Sequence, residues 1–296
     1  MTSEPVADYP LARLTTVGTG GSAEFFARAG TAAELDELLG WAAVRGLEVA
    51  VVGSGSNLLV ADEGVAGLVL KLDRELARIE PEGARLRCGG GARLPAVAAR
   101  AAALGLAGIE FGVNIPGTVG GAVRMNANAY GGALARVLAW VEVHTAAGSE
   151  RRAPSALEFA YRASNLGAGE VVARAEFVLE PAPTEDVRSR LAELRALRHA
   201  AQPKGIRTFG STFKNPPEDT AGLLLAGAGA GGLRVGGARF SPKHANFVEN
   251  TGTATTADVV ALMAAGRRLV AERTGIELEP EVQTLGPVRF PWRGCP

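Results

Sequence analysis

Glycine falls in clusters along this chain and follows no fixed period. There are 39 glycines in 296 residues, nearly double the usual ~7%. Clusters of this kind point to loops in which backbone must approach something closely. The first is Gly53-Ser-Gly-Ser-Asn57, after an apolar strand at Glu48–Val52. The second is Gly112-Val-Asn-Ile-Pro-Gly-Thr-Val-Gly-Gly121, followed by Asn126-Ala-Asn-Ala-Tyr130. Alone, each also reads as an ordinary tight turn. Together, in adjacent α/β segments, they suggest one extended anionic ligand, and a dinucleotide diphosphate has that shape. The first is not a Rossmann fingerprint. Leu58 stands where the third glycine belongs, and Gly64 and Gly67 follow where a helix would be needed.

Between these clusters the chain alternates strand and helix. Strands are predicted at Ala23–Ala29, Leu58–Val60, Gly67–Leu72, Arg85–Cys88, Val137–Thr145 and Glu170–Leu179. Thr31 to Glu34 has the spacing of a capping box opening a helix to Arg45. Leu94–Leu104 is a second helix. Thr184 opens a third, to Ala201, with Val187, Leu191, Leu194 and Leu197 on one face. Beyond it come a helix at Ala221–Leu225, strands at Gly237–Phe240 and Asn246–Glu249, and a helix at Thr255–Thr274 on a core of Val259, Met263, Leu269 and Val270. The tail from Phe290 reads as irregular and exposed. The boundaries divide the chain into 1–75, 76–201 and 202–296.

Charge and composition narrow the function. Basic and acidic residues number 31 each, which argues against a general nucleic-acid binder. No run approaches the ~18 apolar residues of a membrane span, and no basic start followed by an apolar run marks a signal peptide. Cys88 and Cys295 form no disulfide framework, and the three histidines have no neighbours at metal-ligand spacing, so no metal is expected. A cytoplasmic location is expected. Three of the four lysines, Lys204, Lys214 and Lys243, lie within 40 residues, and Lys71 stands apart. The clustering reads equally as chance or as a need for compact ammonium groups.

Several polar groups remain. Gly210-Ser-Thr-Phe-Lys-Asn-Pro216 offers a hydroxyl beside glycine with a lysine three residues on, though no histidine stands by to activate it as a nucleophile. Tyr161-Arg-Ala-Ser164, Lys243-His-Ala-Asn246 and Glu279-Pro-Glu281 are further candidates. Pro280 keeps Glu279 out of helical geometry, so Glu281 begins an extended segment.

In order along the chain these motifs resemble the UDP-N-acetylenolpyruvoylglucosamine reductase family, in its short form. They are Thr15–Gly21, Gly53–Val60, Ile115–Ala122, Met125–Ala127, Tyr161–Ser164, Gly210–Pro216, Ser241–Phe247 and Leu278–Val282. The resemblance implies an α+β chain: a two-subdomain FAD-binding region of the p-cresol methylhydroxylase type, then an α/β substrate-binding domain. It implies non-covalent FAD held by Gly53, Ser54, Gly55, Ser56, Asn57, Leu58, Ile115, Pro116, Gly117, Thr118, Gly120, Gly121 and Asn126. It implies NADPH as co-substrate and a UDP-sugar substrate met by Tyr161, Lys214, Asn215, His244 and Asn246. Ser211 would donate the proton, with Arg162 and Glu281 completing the active site. Asn114 and Asn128 stand where the family pattern carries glycine. Two alternatives stay open: an oxidase or dehydrogenase of the same flavin fold acting on an alcohol or lactone, and a non-catalytic nucleotide-binding module. Ser22 after Gly20-Gly21, with no histidine nearby, argues against the covalent flavin of many such oxidases.

Overall fold

The computed structural model describes residues 4–293, and the chain divides into two compact units. One comprises residues up to Ala7, Phe25–Ser54 and Gly67–Arg198; the other comprises Asp8–Glu24, Gly55–Ala66 and the chain from His199 onward. The cut near 201 in the sequence reading lies close to this division, whereas a cut at 75 does not appear. Gly55–Ala66 goes with the C-terminal part because Leu58–Val60 pairs in parallel with Gln283–Leu285. Asp62 adds to this by accepting from Thr256 N–H and Ala257 N–H, both at 2.9 Å.

In the first unit, helix α1 (Ala32–Val44) begins at Thr31, whose hydroxyl accepts from Glu34 N–H. The Glu34 carboxylate reaches one residue further back, to Gly30 N–H. Leu35, Leu38, Leu39 and Ala42 pack on Leu68, Leu70 and Leu72 of strand Val65–Leu72. Val49–Val51 pairs in parallel with that strand at the sheet edge. Edge position explains why Val51 is exposed, contrary to the buried strand that its apolar sequence predicts.

A five-stranded antiparallel sheet follows, in the order Gly148–Arg152, Leu138–Thr145, Val171–Val178, Arg85–Gly89, Ile79–Glu82. After Arg85–Gly89 the chain turns at Gly89–Gly91. A Cβ at Gly90 would stand 1.8 Å from Val172 O, so this glycine is required by close backbone approach. Helix α2 (Leu94–Ala103) covers the sheet, and helix α3 (Val119–Arg124) begins within the end of the glycine-rich run Gly112–Gly121 read from sequence as a loop. Gly120 and Gly121 cost ~1 kcal/mol each in helix propensity. The Thr118 cap and burial of Val119, Ala122 and Val123 outweigh that. Helix α4 (Thr184–Ala201) buries Val187, Leu191 and Leu194 against Ala98, Ala102 and Val113. Leu197, predicted on the same face, is 48% exposed. Arg198 turns inward in that last turn instead, donating to Asn114 O.

In the second unit an antiparallel sheet runs Arg207–Thr208, Val248–Asn250, Ala238–Phe240, Arg234–Val235. Helices α5 (Ala221–Gly227) and α6 (Thr256–Thr274) pack on it around Phe209, Phe213, Phe240, Val259, Leu262, Met263 and Val270. A reciprocal Thr255–Asp258 capping box starts α6. In the tail Pro291 and Arg293 are exposed as expected, whereas Phe290 is buried and stacks on Trp292 at 5.0 Å over this core. Cys295 lies outside the described residues.

Cys88 is buried within the strand Arg85–Gly89 of the five-stranded sheet, and burial pushes its thiol up to about 12. At pH 8 the thiolate fraction is then on the order of 10⁻⁴, against roughly a quarter for a free thiol. In a Cys295→Ser background, alkylation by iodoacetamide at pH 8 is expected to be more than ~10³-fold slower in native than in denatured protein. Comparable rates would show that the thiol is open.

Candidate active site

In the first unit the two glycine clusters meet. A Cβ at Gly53 would stand 2.4 Å from Thr118 Oγ1. Thr118 is itself buried and caps α3 by accepting from Gly121 N–H. Ile115–Gly121 is stitched to the preceding turn. Leu94 N–H donates to Gly117 O at 3.0 Å, Val119 N–H to Ala92 O at 2.8 Å and Gly120 N–H to Gly90 O at 2.8 Å. Asn114 donates to Leu194 O of α4 at 2.6 Å, so this departure from the family's glycine anchors the loop to a helix.

Lys71, given no role by the sequence reading, donates to the Gly53 carbonyl. Burial pushes its ammonium below the usual lysine range, with Arg28 acting in the same sense and Asp73 opposing. Since a peptide is planar, fixing this carbonyl also fixes the direction of the Ser54 N–H. The only sequence signal was that this lysine stands apart from the other three.

Arg162 occupies a strained turn in the same unit. Ala160 and Ala163 exchange backbone hydrogen bonds at 3.1 and 3.3 Å around Tyr161–Arg162. Arg162 sits at φ = 57°, a left-handed conformation that costs an L-residue ~1–2 kcal/mol. Its guanidinium donates to Asn128 O at 3.2 Å and lies over the Tyr161 ring, with Tyr161 exposed. Asn126 donates to Ala160 O at 3.0 Å, and the Asn128 side chain donates to Asn126 O at 3.2 Å. The Asn126–Tyr130 and Tyr161–Ser164 motifs are thus brought together, with Ser164 Oγ donating to Arg124 O at 2.9 Å.

In the second unit Gly55–Asn57, Gly210–Lys214 and Glu279–Gln283 form one hydrogen-bonded frame. Gly210 N–H donates to Ser56 O at 2.8 Å. Glu281 N–H donates to Thr212 O, and Lys214 N–H to Glu279 O, both at 2.9 Å. Asn57 Nδ2 donates to Glu281 O at 3.2 Å, and Gln283 N–H returns to Asn57 O at 3.1 Å. Ser211 and Glu281 are both half-buried and are carried on neighbouring segments of this frame. Leu58 begins the strand that pairs with Gln283.

Two residues expected to meet a UDP-sugar, Asn246 and Asn215, have amide atoms taken by the protein itself. Asn246 is 2% exposed, and both ends of its amide are taken by the Phe213 backbone. Asn215 Oδ1 accepts from Ala221 N–H at the start of α5. His244 packs edge-on against Phe247 at 4.8 Å, burial pushes its imidazole pKa down, and its Nδ1 is buried without a protein hydrogen-bond partner among the described residues. Lys214 reaches toward the exposed Glu279 carboxylate at 3.4 Å.

The donor set fits a diphosphate-bearing dinucleotide. At Gly53 the backbone lies so close to Thr118 that no side chain fits, and Lys71 brings an ammonium to the Gly53 carbonyl. Each unit holds a buried amide oxygen without a protein hydrogen-bond partner among the described residues, Asn126 Oδ1 in the first and Asn57 Oδ1 in the second. Such atoms normally have one, and ligand hydroxyl or N–H groups would supply it.

Comparison with known proteins agrees. The FAD binding domain family matches residues 23–153. The UDP-N-acetylenolpyruvoylglucosamine reductase C-terminal domain family matches residues 202–285. UDP-N-acetylenolpyruvoylglucosamine reductase 2 of Symbiobacterium thermophilum is 45% identical over 285 residues, covering 96% of this chain and 92% of its own. The reductase of Rubrobacter xylanophilus is 42% identical over 281 residues, 94% of each chain. The crystal structure of the Thermus caldophilus enzyme superposes with a TM-score of 0.84 at 37% identity, over 96% of this chain and 100% of that one. At 16% identity and a TM-score of 0.52, 6-hydroxy-D-nicotine oxidase from Arthrobacter nicotinovorans shares the fold.

Two predictions follow from this geometry. Because φ is positive at position 162, Arg162→Gly is expected to melt at or above Arg162→Ala, reversing the usual order of the two residues. Thermal denaturation of both variants reads this directly. Lys71→Met is expected to weaken FAD binding at least ~10-fold while Lys71→Arg weakens it less. Flavin fluorescence on titration of the apoprotein measures both, and unchanged affinity in Lys71→Met would remove Lys71 from the flavin loop.

Proposed function

The chain belongs to the UDP-N-acetylenolpyruvoylglucosamine reductase family, and from that premise we propose how its residues divide the work. The protein is an FAD-dependent oxidoreductase. It reduces UDP-N-acetylglucosamine enolpyruvate to UDP-N-acetylmuramate with NADPH, a step of peptidoglycan precursor synthesis. When bound, FAD relays a hydride equivalent from NADPH to C3 of the enolpyruvyl group.

The flavin diphosphate is assigned to the Gly53–Asn57 and Ile115–Gly121 loops. Arg162 takes the substrate carboxylate. As C3 is reduced, negative charge spreads from C2 into that carboxylate, and a planar guanidinium can meet it with two N–H groups. Ser211 delivers the proton to C2. A hydroxyl is a weak acid, so it needs a strongly basic acceptor and tight placement, and an enolate carbon meets the first condition. Glu281 orients or polarises this proton donor from the adjacent segment. Lys214 pairs with substrate diphosphate in place of its exposed partner Glu279. The carrying observation is the frame that holds Ser211 and Glu281 on hydrogen-bonded neighbouring segments. No helix among the described residues is long and apolar enough to cross a membrane, and a cytoplasmic setting goes with this reading.

If Ser211 acts only on C2, flavin reduction by NADPH does not need it. Ser211→Ala is therefore expected to bleach its flavin with NADPH at nearly the normal rate. Reoxidation by the enolpyruvyl substrate is expected to slow by ~10²–10⁴. Anaerobic stopped-flow absorbance separates the halves. Equal slowing of both would make Ser211 structural.

A further inference from the structure

The Ser211 segment is held from two sides, and one side is a single residue. Facing Glu279–Glu281, it pairs through Thr212 O and Lys214 N–H, which flank the Phe213–Pro280 bridge. In such a pairing the bridged residues exchange no hydrogen bond, which suits Pro280, since it has no N–H to give. The N–H and C=O of Phe213 therefore point the other way. Phe213 is fully buried, so neither group has water to turn to.

Asn246 meets both. Its Oδ1 accepts from Phe213 N–H and its Nδ2 donates to Phe213 O, each at 2.9 Å. Its own carbonyl accepts from Thr212 N–H at 2.8 Å. One amide side chain thus does the work of a missing neighbouring strand. We infer that Asn246 is a positioning residue for Ser211: it fixes the Thr212–Phe213 backbone and hence the placement of the Ser211 hydroxyl relative to Glu281. This rests on the assignment of Ser211 as proton donor, and it replaces direct substrate contact as the role of Asn246.

The chemistry supplies a specific test. A neutral carboxyl has one acceptor oxygen and one O–H donor, as the amide does; a carboxylate has only acceptors. In Asn246→Asp the ionised side chain would face Phe213 O with no proton to give, and protonation would restore the pattern. A carboxyl buried at this site titrates above its ordinary ~3.9, so the protonated form gains as pH falls.

The experiment compares wild type, Asn246→Asp, Asn246→Ala and Ser211→Ala as FAD-loaded full-length protein. It follows steady-state turnover and the two half-reactions across pH. A misplacement of ~1 Å costs ~10²-fold. Asn246→Ala is accordingly expected to lose ~10² in kcat and in reoxidation by the enolpyruvyl substrate. KM should stay within ~2-fold, and flavin reduction by NADPH should be preserved. Asn246→Asp is expected to recover toward wild type as pH falls, relative to Asn246→Ala. A raised KM at unchanged kcat would make Asn246 a substrate contact and overturn the proposal. Equal slowing of both half-reactions, or no acid recovery in Asn246→Asp, would overturn it as well. If Asn246→Ala does not fold, Asn246→Asp compared with wild type at two pH values decides alone. Normal reoxidation in Ser211→Ala would instead overturn the assignment on which the inference rests, and is read from a separate variant.

Discussion

Three residue pairs, Leu58–Gln283, Leu59–Thr284 and Val60–Leu285, join strands from opposite ends of the sequence in parallel. The second unit depends on this pairing. It places Asn57 and Glu281, 224 positions apart, within hydrogen-bonding reach. It also sets the register from which Glu281 N–H meets Thr212 O. A parallel pair between such distant segments cannot form by local folding, and its loop-closure cost is offset only when the surrounding core is in place. That core includes Leu59, Phe213, Leu278 and Val282, all buried beside the paired strands. Ser211, the proposed proton donor, therefore inherits its position from the packing around its segment.

The hydrogen bonds of this frame each contribute only about 1 kcal/mol net. Their importance lies in what they leave no room for. Thr212 and Phe213 are fully buried, so a backbone group released from its partner would stay unpaired at a cost of about 1–3 kcal/mol. Ser211, half-buried beside them, can meet a ligand without its backbone moving. The geometry suits proton delivery by a poor acid, which tolerates little variation in distance.

Much of the architecture was legible in the sequence because periodicity and capping are local. The strands at Arg85–Gly89, Leu138–Thr145 and Val171–Val178 and helices α1, α2, α4 and α6 appear close to their predicted bounds. The ordered motifs carried the family. What was hidden depended on contacts remote in sequence. Helix α3 begins in a glycine-rich stretch, where propensity alone argues for loop. Asn246 belongs to a motif that suggested ligand contact, yet both ends of its amide are spent on Phe213. The lysine cluster also misled. Lys243 donates to His199 O and Gln202 O, tying down a chain segment, while the solitary Lys71 holds the glycine loop. Clustering in sequence said less about these ammonium groups than the backbone carbonyls they reach.

Strain points the same way as chemistry. Six described non-glycine residues have positive φ, and four of them, Asn126, Tyr130, Glu158 and Arg162, fall between positions 126 and 162. Strain of this kind persists only where the surroundings over-determine the backbone. Here they do: Asn126 binds Ala160 O, Arg162 binds Asn128 O, and the Ala160–Ala163 exchange closes the turn. Asn126 and Arg162 are thus each held by a contact with the other strained segment. Glycine would relax the turn at position 162 but carries no guanidinium. Arginine there keeps its bond to Asn128 O at a cost in backbone energy.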